Sequence, residues 1–180
     1  MSHVDLTPFP SAIVLDTSFL RTIGGTESDA YQTFVEYVET ESTELFLGQR
    51  VVEELTEQRD YMSIDWIDKA RMTDGVTIVD PVQPGVRVHG GPRAGELMDR
   101  VHERLARFEQ VPPDELRKTD SELAAVAVML LGSTPHDAVG ILMDDRNAER
   151  AISGVIDDTY YEGRIRVINI WDAIDHMVVG

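Results

Sequence analysis

Five short runs rich in Val, Ile and Leu punctuate the chain: Ala12–Leu15, Glu44–Leu47, Val76–Val79, Val139–Met143 and Ile165–Ile170. The first and fourth are apolar without interruption, the pattern of strands buried on both faces of a parallel sheet. Between them, apolar residues recur at helical spacing near Ser28–Thr40, Val51–Gln58, Ile64–Met72, Ala94–Phe108, Ser121–Leu131 and Ala148–Ile152. This alternation of strand and helix predicts right-handed crossovers and an α/β fold, a three-layer α/β/α sandwich. Pro81–Pro92 holds three prolines and three glycines and reads as a loop within one domain. Residues 1–10 read as an N-terminal extension and 11–180 as a single domain with no internal repeat.

Composition narrows the class. The chain has 180 residues, 42% hydrophobic and 27% charged, which suits one globular domain with a real core. No apolar run reaches the roughly 18 residues that span a bilayer. The N-terminus lacks a basic segment followed by an apolar one, so no signal peptide is expected and the expected location is cytoplasmic. With 0 cysteines, disulfides, thiol nucleophiles and thiolate metal sites are excluded.

Charge at first argues against a nucleic-acid partner. There are 33 acidic and 16 basic side chains, a net of −17, and affinity for phosphate comes mainly from Lys and Arg. The kind of charge alters that picture. Only Lys69 and Lys118 are lysines, the other basic residues are arginines, and the acids are scattered along the chain. Such a surface suits a salty cytoplasm, where at about 1 M salt the Debye length is only about 3 Å and self-repulsion is slight.

The acids also fall at telling places. Ile13-Val14-Leu15 runs into Asp16-Thr17-Ser18, and Ile141-Leu142-Met143 runs into Asp144-Asp145. An acid directly after a buried strand lies at the carboxyl edge of the sheet, where open α/β folds bind ligands. Val51-Val52-Glu53-Glu54-Leu55 places an acidic pair early in a helix. Glu54, beside the apolar face marked by Val51 and Leu55, is the better placed of the two. Thr119-Asp120-Ser121-Glu122 opens the apolar helix that follows, so Asp120 either caps it or faces the same edge. Asp144 and Asp145 are alternatives for the nearer ligand, and one of them can cap the next helix. Gathered carboxylates repel one another unless a cation intervenes. An all-oxygen set favours Mg²⁺ or Mn²⁺ over zinc and suits phosphoryl hydrolysis.

These four motifs, in this order and spacing across about Ser11 to Asp172, resemble the PIN-domain ribonuclease family. The resemblance implies a five-stranded parallel sheet flanked by helices and an acidic Mg²⁺/Mn²⁺ site that cleaves RNA. It carries over Asp16, Glu54 and Asp120 as metal ligands and Asp145 as the acid after strand four, with Asp144 beside it. Thr17 or Ser18 matches a supporting hydroxyl. Met143 stands where family members often carry Thr or Ser. The stretch Pro81–Lys118, with a helical insert around 93–118, is longer than in compact toxins of VapBC-type toxin–antitoxin pairs. A role in RNA processing and a role as a toxin held by an antitoxin protein therefore both stand, and the family resemblance implies a homodimer.

Two arginine groups offer contacts to RNA. On a helix, Arg93, Arg100, Arg104 and Arg107 fall within about 60° of one another. They form either a phosphate-contacting ridge or the partners of Glu96 and Glu103 at i,i+4. Arg146 and Arg150 begin beside the acids. The histidines show no ligand spacing, and His89-Gly90-Gly91 reads as a turn. No phosphate-cradling loop ending in Gly-Lys-Ser/Thr is present. Two rival functions differ in their marks. A haloacid-dehalogenase-like phosphatase would need an acid where Ser18 stands, and it leaves Glu54 and Asp120 idle. A non-catalytic RNA-binding or scaffold protein would have lost acids that this chain keeps.

Overall fold

The computed structural model describes residues 9–25, 27–58 and 76–179. Its strands are β1 (Ala12–Leu15), β2 (Glu44–Leu47), β3 (Val76–Ile78), β4 (Val139–Met143) and β5 (Ile165–Asn169). They form one sheet in the order β3-β2-β1-β4-β5, with every neighbouring pair parallel. β1 and β4 occupy the middle in register, Ala12 beside Val139 and Leu15 beside Leu142. All residues of both strands are buried, as their unbroken apolar runs require. The strand order reverses between β1 and β4, which opens a crevice at their carboxyl ends.

The helices among the described residues are α1 (Thr17–Ile23), α2 (Asp29–Thr40), α3 (Gln49–Gln58), α4 (Ala94–Glu109), α5 (Thr119–Ser133), α6 (Arg146–Ile156) and α7 (Ile170–Val179). One layer contains α5 and α6, which lie against β1, β4 and β5; the other contains α1, α2 and α7. The insert is α4 followed by a single 3₁₀ turn at Pro113–Glu115. It packs on both α5 and α6, so α5 has no solvent face from Ser121 to Leu130. That explains a helix apolar on all sides. The fold is thus the expected α/β/α sandwich, with the insert as a cover over its central helix.

Two details depart from the sequence expectation. The short α1 was not anticipated; it forms because Asp16 caps it, accepting from Ser18 N at 3.2 Å. Ile170 was expected to end β5 but opens α7, because the Asn169 side chain accepts from Trp171 N at 2.9 Å and turns the chain. The third helix, expected near Ile64–Met72, lies outside the described residues. The proline-rich loop is held from below by Tyr161, which has 0% exposure. Its hydroxyl donates to Pro92 O at 2.7 Å and accepts from Val88 N at 3.1 Å. His89 and Gly90 turn with positive φ, +41° and +82°.

Candidate active site

Asp16 leaves β1 at its carboxyl end, and its own N–H donates to Leu142 O at 3.0 Å, extending the β1–β4 pairing to the carboxylate. It is 3% exposed. Burial pushes its carboxyl up; hydrogen bonds from Ser18 and Thr17 pull the other way, and the Glu54 charge adds to the rise. Ser18 holds the neighbourhood together: its hydroxyl donates to Asp16 Oδ2 and accepts from Asp144 N at 2.9 Å. One side chain thereby ties the end of β1 to the end of β4.

Glu54 reaches the same edge from α3. Thr17 Oγ1 donates to its Oε2 at 2.7 Å and Thr119 Oγ1 to its Oε1 at 2.6 Å. Both carboxylate oxygens are therefore aimed by hydroxyls. Arg117 stands 3.8 Å from Oε1, but its side chain is 75% exposed and the pair is weak. Glu53 is exposed and lines the cleft beside Glu54. Thr119 was absent from the expected supporting residues, although it directly precedes Asp120 in the motif.

Asp120 lies in the first turn of α5 but does not cap it; Lys118 holds the cap position and makes no side-chain capping bond. Burial is the first cause that pushes the Asp120 carboxyl up, to about 8, followed by the charges of Asp16, Asp145, Glu54 and Glu109. Four acids expected from the sequence thus share one electrostatic field. Glu109 was not expected there. It sits at the end of α4 and accepts from Asn147 Nδ2 at 2.9 Å, so the insert brings a fifth acid to the site. No local pattern marks it, since the approach of α4 to α6 is tertiary.

The acidic pair after β4 divides. Asp145 caps α6, its Oδ1 accepting from Ala148 N at 3.0 Å, and its charge acts on Asp120. Asp144 turns toward α1, accepting from Thr22 Oγ1 at 2.8 Å. Met143 is fully buried in the core and faces no acid with a hydroxyl; Thr17, Ser18 and Thr119 supply hydroxyls instead.

The arginines of the insert also separate. Neither Glu96–Arg100 nor Glu103–Arg107 closes to an ion pair among the described residues. Arg93, Arg100 and Arg107 are exposed, whereas Arg104 is half-buried against α6. Arg146 and Arg150 are exposed on α6. A cleft of about 210 Å³ opens beside Glu54, lined among others by Arg50, Arg117, Lys118 and Thr119.

Among the described residues, no three acidic or histidine side chains stand close enough together to hold an ion as placed. The chemistry of the donors nonetheless fits one. All are carboxylate oxygens, and the rise of Asp120 to about 8 comes first from burial and then from four neighbouring acids. A divalent cation relieves that repulsion.

A sheet of this topology with carboxylates drawn from β1, α3, α5 and the end of β4 defines a nuclease-like α/β domain. The chain belongs to the halobacterial PIN domain family, which it matches over residues 9–179. PIN domains are generally nucleases, and PIN-domain nucleases generally use divalent metal ions. No curated protein matches the sequence.

Proposed function

We propose that this chain is a metal-dependent endoribonuclease that hydrolyses RNA phosphodiesters with Mg²⁺ or Mn²⁺. The observation that carries the reading is the gathering of Asp16, Glu54, Asp120 and Asp145 at the carboxyl edge of the sheet, with Thr17 and Thr119 aiming Glu54 and Ser18 holding Asp16. A fold that keeps so much like charge together gains from a cation there, and the cation in turn gives an acidic protein its affinity for phosphate.

Asp16, Glu54, Asp120 and Asp145 would hold the ion, with Asp144 behind them. When bound, it supplies Lewis acidity toward the phosphate oxygens and lowers the pKa of water. The chain's own side chains do the rest. Thr17 and Thr119 fix both oxygens of Glu54, and Ser18 fixes Asp16 against β4. Asp145 spends one oxygen on the α6 cap, leaving the other to orient the attacking water.

The test is cleavage of a labelled RNA in Mn²⁺ by the wild type, Asp16→Asn and Asp120→Asn. Cleavage that disappears in both variants and on chelation, with the fold intact by circular dichroism, supports the reading. Equal cleavage by all three proteins overturns it. Hydrolysis of p-nitrophenyl phosphate without RNA cleavage moves the activity to phosphomonoesters.

A further inference from the structure

Among the described residues, Arg50 pairs with Glu122 and Arg117 with Glu54. Arg104 on α4 and Arg150 on α6 form no ion pair among the described residues. Both guanidinium groups instead stand over the ring of Phe108, 5.8 Å and 5.0 Å from its centroid. The two charges therefore come from different helices to one aromatic ring. Cation–π attraction holds each of them.

The place is built for Arg104. It lies against α6 at Gly154, where a Cβ would sit 2.6 Å from Nη2. Its buried Nε has no hydrogen-bond partner among the described residues. Arg150 is exposed and meets the ring from its own helix. The pair also adjoins the acids. Phe108 precedes Glu109, which Asn147 ties to α6, and Arg150 lies five residues after Asp145, about 7.5 Å along the helix axis.

We propose that Arg104 and Arg150 form a clamp on Phe108 that grips a backbone phosphate of the RNA next to the bond being cut. This deepens, and rests on, the ribonuclease reading above. The sequence grouped Arg104 with Arg93, Arg100 and Arg107; the tertiary structure pairs it with Arg150 instead. A phosphate that accepts from both guanidinium groups makes charge-assisted hydrogen bonds to each. Because the grip is on backbone, it reads no base.

The experiment measures affinity for fluorescent oligo(U) and oligo(A) by anisotropy, in an Asp16→Asn background to prevent cutting. Arg150→Gln removes the exposed arm and its contact with Phe108, and leaves Arg104 in place against Gly154. It is expected to weaken both RNAs equally, by about tenfold. It also lowers the slope of log affinity against log salt by about 0.7, one phosphate contact on a single strand. Arg150→Lys recovers part of the affinity, and Arg104→Gln reproduces the loss. Equal affinity in Arg150→Gln and its parent overturns the clamp alone, as does a fall in melting temperature with affinity unchanged. If neither wild type nor Asp16→Asn binds or cleaves RNA, the ribonuclease reading fails and the clamp with it.

Discussion

The Asp120 carboxyl makes the pH dependence of the metal-free protein predictable. Its ordinary value is 3.8 and the fold raises it to about 8, first through burial and then through the charges of Asp16, Asp145, Glu54 and Glu109. A raised acid binds its proton more tightly in the folded state. Its neutral form is tolerated by the fold below pH 3.8; the destabilisation grows as pH passes that value and is complete once pH exceeds about 8. A difference of about 4 units at about 1.4 kcal/mol each sets an upper bound of about 6 kcal/mol. That is comparable with the whole stability of an ordinary domain. The perturbation is Asp120→Asn, which keeps shape and removes the ionisation. In chelator and constant KCl, denaturant unfolding between pH 5 and 9 should show wild-type stability falling by several kcal/mol and the variant falling much less. The curves then cross, with the variant the more stable at pH 8. Mn²⁺ at about a hundred times its dissociation constant should restore about 2.7 kcal/mol to the wild type. It should restore little to Asp120→Asn. Parallel pH curves for the two proteins would refute the reasoning, because they would mean that Asp120 ionises freely in the folded chain.

Other consequences are more local. Replacing both Thr17 and Thr119 by Val frees the two oxygens of Glu54 and should weaken Mn²⁺ binding by about tenfold or more in calorimetry, with little change in secondary structure. Ser18→Ala removes the bridge between Asp16 and Asp144 N, and thermal unfolding should report a loss of about 1–3 kcal/mol. Gly91→Ala puts a Cβ 2.5 Å from Cζ of the buried Tyr161; denaturant unfolding should report a loss of about 1–3 kcal/mol. With −17 net charge, the melting temperature should rise with KCl as self-repulsion is screened, and RNA cleavage should persist near 1 M salt. A melting temperature indifferent to KCl would contradict that account of the acidic surface.

Much of this site was legible along the chain because its parts are tied to strand ends. Asp16 follows β1 and Asp145 follows β4, and a parallel sheet carries the ends of neighbouring strands to one edge whatever the loops do. Apolar continuity marked β1, β4 and α5, since residues buried on every side leave no polar period to misread. Glu54 could be preferred to Glu53 from helical phase alone. Asp120, by contrast, could be read as a cap, and only its position within the α5 turn separated the two roles.

What stayed hidden depends on approach between elements distant in sequence. Glu109 reaches Asp120 because α4 packs across α5 and α6, and no spacing within Ala94–Glu109 encodes that angle. The division of Asp144 from Asp145 is set by Thr22 on α1 and by the α6 cap, which compete for two adjacent side chains of identical chemistry. Arg104 left its helical ridge because Gly154 on another helix made room for it. The one-dimensional pattern by itself determined the sandwich and the edge where the acids collect, since periodicity and strand ends are local properties. The tertiary structure decided which acids share a field, which hydroxyls aim them and which arginines stand unpaired, because electrostatic and packing energies depend on distances that sequence spacing does not set.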